Sequence, residues 1–355
     1  MPSACEPWWE PLFNVYPIGI QMIRRRTLLT AFGAGALTAP FAALAQQPGT
    51  SPATAAGKIW RVGFLAPRPI GPLESDFFGA FPRTMRELGY VEGKNLIIEW
   101  RSAEGSPERL PALAAELVQL KVDVIVAVAQ SVRAAQQATT AIPIVMGTPG
   151  DPVANGYVKS LARPGGNITG GSTMPGDTVT KLLGMLLDIQ PALKRVAVLR
   201  NPTGNALVLD ILDAAAQRVG VKLLPLEIRE AGEIAAAFVR MKREAAGGVL
   251  LLQDAIFTPH LRTIADLALK HKLPSVASIR QYTEAGGLMN FGPSFADNYR
   301  MAAVYVDKIF KGAKPADLPV QQPVKFEMFI NGKTARALGL KIPQALLISA
   351  DKVIE

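Results

Sequence analysis

The sequence predicts an α/β protein built as two doubly wound lobes, each a parallel sheet covered by helices on both faces. Three observations predict it. Apolar strand-like runs alternate with amphipathic stretches from residue 59 onward. Some runs, such as "VDVIVAVA" (122–129) and "IPIVMG" (142–147), are apolar on both faces, as buried parallel strands are. The rhythm then restarts near residue 190, where "KRVAVLRNP" (194–202) repeats the pattern of "WRVGFLAP" (60–67): a basic residue, V-x-x-L, then a proline turn.

In chain order, "RVGFLAP" (61–67) reads as a buried strand ending in a proline turn. Phe77, Phe78, Phe81, Met85 and Leu88 recur near helical spacing, and Gly89 stops the helix. "NLIIEW" (95–100) is the next strand. Ser106-Pro107 supplies an N-cap and a first-turn proline, and Leu110, Leu113, Leu117 and Leu120 continue one apolar face. Ser131 opens a short helix after "VDVIVAVA". "NITGGST" (167–173) follows a Pro-Gly-Gly turn, and a linker rich in Gly, Thr and Pro (165–178) separates the halves. The second half continues with "VKLLPLEI" (221–228), "GGVLLLQD" (247–254) and "LPSVASI" (273–279), and Leu261, Ile264 and Leu267 lie on one helical face. The tail adds a strand and loop, "GGLMNFGPS" (286–294), a helix over 296–311 striped by Tyr299, Ala303, Val306 and Phe310, a proline-rich crossing (311–326), and a last strand and helix. Elements beyond a complete second lobe predict more than one crossing between lobes.

Composition narrows the function. The chain has 355 residues, 49% apolar and 19% charged, enough for two folded domains. Its formal charge of +9 is scattered, and its one basic cluster, 24–26, lies in the leader, so no nucleic-acid stripe forms. Cys5 is the single cysteine, and His260 and His271 stand eleven apart, which is not a zinc spacing. No metal and no cofactor is expected. A phosphate loop needs G-x-x-x-x-G-K-[ST], whereas "GTPGDPVA" (147–154) has no lysine and carries an aspartate. G-x-S-x-G is absent, so no nucleophile elbow and no catalytic residue is assigned.

Residues 1–45 read as a leader. Within them, 22–45 have the three parts of a signal peptide: Arg24, Arg25 and Arg26, an uncharged stretch, and Ala43-Leu44-Ala45 for cleavage. "RRTLL" (25–29) matches a twin-arginine motif, and an ordinary arginine-rich head fits the same residues. Met22 is a natural start. Residues 46–58 form a flexible tether, and the apolar stretch, with its Gly, Thr and Pro40, is a poor membrane span. Export, periplasmic localisation and a chain that does not itself span the membrane are the expectation.

Four blocks, "ELGYVEGKNLIIEWRSAEG" (87–105), "DPVANGYVKSLARPGGNITG" (151–170), "EAGGLMNFGPS" (284–294) and "GAKPADLPVQQPVKFEMFINGKTARALGL" (312–340), resemble the ABC-transporter substrate-binding proteins related to the tryptophan/tyrosine-binding group. The resemblance runs in order through nearly the whole mature chain. It implies a type I periplasmic-binding-protein fold, lobes at 59–175 plus 286–313 and at 176–285 plus 314–355, and a return to the first lobe near Gly286. It also implies a small carboxylate-bearing solute (an amino acid or an aromatic acid) in the inter-lobe cleft, an inner-membrane ABC permease as partner, and a monomer. A sensory ligand-binding subunit, or an exported hydrolase using Asp151 and Asp254, are the competing readings.

Ligands of parallel α/β sheets bind beyond the carboxyl ends of strands, which selects the candidate site residues. Gln130 and Ser131 open a helix where backbone amides suit a ligand carboxylate; a plain N-cap is the other role open to Ser131. Thr148 offers a hydroxyl on the pocket lip, and Asp151 before Pro152 is a turn or N-cap residue. Arg68 either neutralises a carboxylate or is solvated. Asp254, by its place at a strand end as in amino-acid-binding relatives, pairs a ligand ammonium or caps the next helix. Tyr282 stacks on the ligand or packs in the core. Ser294 completes the ligand-binding set.

Overall fold

The computed structural model describes residues 57–74, 77–202 and 206–355. The leader, Cys5 and nearly all of the tether lie outside the described residues.

Five parallel strands form the first sheet in the order β2-β1-β3-β4-β5: β1 (Trp60–Ala66), β2 (Leu96–Ser102), β3 (Val124–Ala127), β4 (Ile144–Met146) and β5 (Ile168–Gly170). Both faces of β1 are covered. Val62 and Phe64 pack on the side of α1 (Ala80–Glu87), while Leu65 packs with Leu113 and Leu117 of α2 (Leu110–Gln119). Gly89 ends α1 with φ +94, its amide bonded to Arg86 O at 3.0 Å. The start of α2 differs from expectation. Ser106 makes no side-chain cap, and Pro107–Arg109 forms a 3-10 turn before the helix proper. The helix after β3 is α3 (Ser131–Ala138).

Seven strands form the second sheet in the order β12-β11-β10-β9-β8-β6-β7. They are β6 (Arg195–Arg200), β7 (Lys222–Glu227), β8 (Gly248–Leu251), β9 (Ser275–Ala277), β10 (Met289–Pro293), β11 (Phe326–Asn331) and β12 (Lys352–Ile354). All neighbours are parallel except β10 and β11. Its helices are α4 (Pro175–Ile189), α5 (Ala206–Arg218), α6 (Glu233–Arg243), α7 (Leu261–Lys270), α8 (Arg280–Glu284), α10 (Gly332–Ala337) and α11 (Gln344–Ser349), while α9 (Phe295–Phe310) packs on α1 of the first lobe.

The return to the first lobe comes later than Gly286. Strand β10 pairs with β9 and β11, and a Cβ at Gly292 would lie 1.9 Å from Ser278 O, so this strand is locked against the second sheet. The chain leaves it at Ser294, whose amide bonds Lys325 O at 3.0 Å. The outgoing path after 313 also stays on the first lobe beyond the expected limit: Thr169 donates to Leu318 O at 2.6 Å, and Val320 N to Leu161 O at 2.7 Å. It runs beside the first crossing, where Ser172 N bonds Gln321 O and Gln321 N bonds Gly170 O, both 2.9 Å. Three crossings therefore lie together, at 171–174, at 294 and at 321–325.

Candidate functional site

A cavity of about 600 Å³ opens at the carboxyl ends of both sheets. From the first lobe it is lined by Arg68 after β1, Ala129 and Gln130 after β3, and Thr148 after β4. From the second it is lined by Arg200 and Asn201 at the end of β6, Gln253 and Asp254 after β8, and Ser278 after β9. Strand ends carry most of it because parallel strands deliver their following loops to one edge.

Five of the expected residues have clear places. Arg68 lies flat on an aromatic wall, its guanidinium carbon 4.0 Å from the Phe78 ring centroid and 4.6 Å from that of Phe77, with Nη1 donating to Pro69 O at 2.8 Å. Gln130 precedes α3 and lines the cavity. Thr148 Oγ1 is 3.4 Å from the Tyr299 hydroxyl. Asp254 Oδ1 accepts from Asn201 Nδ2 at 3.0 Å and from Ile256 N at 3.1 Å, while Oδ2 has no hydrogen-bond partner among the described residues. Ser131 sits just beneath Gln130, fully buried, its Oγ without a hydrogen-bond partner among the described residues; it is the first helical residue and makes no cap.

Tyr282 and Ser294 are not brought to the cleft. Tyr282 is fully buried in the second lobe, donates to Ser275 Oγ at 2.7 Å, and fills the space that a Cβ at Gly287 would need. Burial pushes its phenol pKa up. Ser294 is 1% exposed; its backbone holds the crossing and its side chain bonds Asp297. Asp151 is a turn residue outside the lining, Oδ1 accepting from Val153 N and Ala154 N at 3.0 Å. The facing pair of carboxylates that a hydrolase reading needs is therefore not formed by Asp151 and Asp254.

The aromatic wall is the feature that strand-end reasoning missed. Phe77, Phe78, Phe295, Tyr299 and Tyr157 line the cavity. Phe77 and Tyr299 lie parallel, 10° apart with centroids at 5.7 Å, and Phe295 meets Phe77 edge-on at 5.5 Å. Phe77 and Phe78, in the turn that leads into α1, were the available signal, but their helical spacing reads as core. Among the described residues, the charged ones lining the cavity are Arg68, Arg200 and Asp254. Arg200 is paired with Glu227 at 3.5 Å. No group of His, Cys, Asp and Glu suited to a metal occurs among the described residues, and none of their helices is long and apolar enough to cross a membrane. His271 is half-buried, its ring centroid 5.8 Å from that of Phe238.

Comparison with known proteins follows the same outline. A family model described as "ABC transporter substrate binding protein" matches residues 76–354. The tyrosine-binding protein of Clostridioides difficile (strain R20291) is 26% identical over 279 residues, 77% of this chain and 78% of that protein. A conserved domain protein from Vibrio cholerae superposes with a TM-score of 0.78 at 27% identity, covering 83% of this chain and 100% of that one. An ABC domain from Streptococcus pneumonia, solved in complex with L-Trp, superposes with a TM-score of 0.76, covering 84% and 100%; at 24% identity it speaks for the fold alone.

Proposed function

The chain belongs to the ABC transporter substrate-binding proteins, with the two-lobed type I periplasmic binding fold, and from that premise we propose that it is the extracytoplasmic receptor of an importer and takes an amino acid with an aromatic side chain into its cleft. One observation carries this reading: the cavity has opposed polar ends with an aromatic wall between them. On the first lobe, the Gln130 side chain and the Thr148 hydroxyl present donors, and α3 starts directly behind Gln130, where the helix dipole favours an anion. On the second lobe, Asp254 presents an anionic oxygen. A zwitterion enclosed away from water needs both charges met, and this arrangement meets each from a different lobe. Phe77, Tyr299 and Phe295 offer ring faces and edges to a planar side chain.

Binding across both lobes favours the closed form, and closure is the signal a permease reads; the receptor itself transforms nothing. The names of the relatives, a tyrosine-binding protein and a domain holding L-Trp, support the ligand class. A thermal-shift screen of the mature chain with amino acids, aromatic acids and dicarboxylates tests it. An aromatic amino acid at 100 times its dissociation constant is expected to add about 2.7 kcal/mol. A shift with dicarboxylates and none with aromatic amino acids overturns the proposal.

A further inference from the structure

The cleft wall that carries Thr148 is completed by a single turn of chain, 149–157, which contributes Asn155 and Tyr157 to the lining. The turn is tied internally by Asp151 and by Asn155 Nδ2, which donates to Pro149 O at 3.2 Å. The chain leaves it through Gly156, at φ +67. One isolated turn leaves its last carbonyls without amide partners. Here α3 supplies them. Arg133 Nη2 donates to Asn155 O, and Gln136 Nε2 donates to Gly156 O at 3.1 Å. The two side chains stand three residues apart on one helix face, and Arg133 Nη1 donates to Gln136 Oε1 at 2.6 Å, linking the straps. The same guanidinium lies 4.9 Å from the Tyr157 ring centroid. Tyr157 is half-buried, and its hydroxyl has no hydrogen-bond partner among the described residues.

We propose that Arg133 and Gln136 are positioning residues that strap the 149–157 turn to α3, and that the strapped turn holds Tyr157 as the side chain that reads a hydroxyl on the ligand's aromatic ring. Its second half rests on the ligand class given above. The physical case is preorganisation. Ala129 and Gln130, which lead into α3, line the cleft, and the helix that follows grips the lip loop through Arg133 and Gln136, so the two parts of the wall form one rigid unit before ligand arrives. Arginine suits the task because its planar fork serves two acceptors at fixed angles while its face covers a ring; a lysine keeps the charge without that geometry. With the ring seated on Arg133, the phenol tip is the part of Tyr157 left to meet a ligand. Burial pushes the Tyr157 phenol above its ordinary value, and the charge of Arg133 pulls the other way.

The test compares the wild-type chain with Arg133→Met, Arg133→Lys and Tyr157→Phe. Two readouts need no ligand. Amides at 155–158 are expected to exchange hydrogen about tenfold faster in both Arg133 variants, because both lose the fork. The Tyr157 phenol, isolated by difference from Tyr157→Phe, is expected to titrate higher in Arg133→Met and to return toward wild type in Arg133→Lys, which loss of packing alone does not produce. The third readout is calorimetry with L-tyrosine and L-phenylalanine. The wild type is expected to prefer tyrosine, and Tyr157→Phe to lose that preference. Unchanged exchange in Arg133→Met overturns the strap. An unchanged preference in Tyr157→Phe overturns the reading role. Binding of neither amino acid by the wild type overturns the reading role together with the ligand class, and the strap is then judged on exchange and titration.

Discussion

Asp297, in the first turn of α9, ties that helix to the crossing at 321–325. Its carboxyl is bonded by Ser294 and Arg300, and Lys325 Nζ lies 3.5 Å from Oδ2. Burial alone would raise its pKa, but these donors and charges outweigh it and hold the carboxyl below the ordinary range. A group depressed in the folded state contributes stability above its unfolded value, near 3.9, and loses it as pH falls through the lower folded value. Thermal melts from pH 7 to pH 2.5 should show wild type losing stability below about pH 4, and Asp297→Asn should remove part of that dependence. A melt profile identical in both would contradict the clasp. Residues at this scale were legible where a strand end decides them: Gln130, Thr148 and Asp254 all line the cavity. Tyr282 is not decided that way: of the stretch 278–282 after β9, only Ser278 reaches the cleft. Four residues later the chain has made a helical turn, and the ring points to Ser275.

Among the elements, the crossings make the most specific demands on sequence. Gly170 ends β5 at φ +126, and a Cβ there would lie 2.6 Å from Met146 N and O. Gly89 also has a positive φ, +94, but nothing lies within 4 Å of its Cβ position. Both alanine variants bear the cost of an unfavourable backbone conformation, about 1–3 kcal/mol. Gly170→Ala adds a clash with backbone that cannot step aside, so it should destabilise clearly more than Gly89→Ala in urea unfolding. Equal losses would contradict the close packing of the first crossing on β4. The strands with apolar faces on both sides were readable from their pattern. Helix α4 was not, because its opening residues, "PGDT", have linker chemistry and the helix starts directly off the crossing, after Met174 at φ +45. Strand β10 is legible as a strand, but its lobe is not: the resemblance assigns it to the first lobe, whereas Gly292 lets it lie against Ser278 of the second. The three residues of β12 are too few to carry a pattern. Helix α9 hid Tyr299 because a stripe buried along its length reads as core, yet its first turns also form the cleft wall.

For the whole molecule, two sheets are joined by three adjacent crossings, and the proposed role requires the lobes to rotate about them. Small-angle scattering of the mature chain is expected to show a smaller radius of gyration when L-tyrosine is present; an unchanged radius under saturating ligand would contradict a closing cleft. Closure follows from the central claim that one ligand is held by both lobes, its carboxylate by the first and its ammonium by Asp254 of the second. Hydrogen bonds to charged groups contribute about 1.5–3 kcal/mol, so losing this one costs roughly one to two powers of ten. Because Asp254 also holds Asn201 and Ile256 N, the variant must be read against a ligand that lacks the amine. The measurement is calorimetry of the wild type and Asp254→Ala with L-tyrosine and with its des-amino analogue. The expected result is a loss of about ten- to a hundredfold for L-tyrosine, with little change for the analogue. Equal weakening of both ligands, or of neither, would contradict the claim that Asp254 meets the ligand and would leave it as a turn residue of the second lobe.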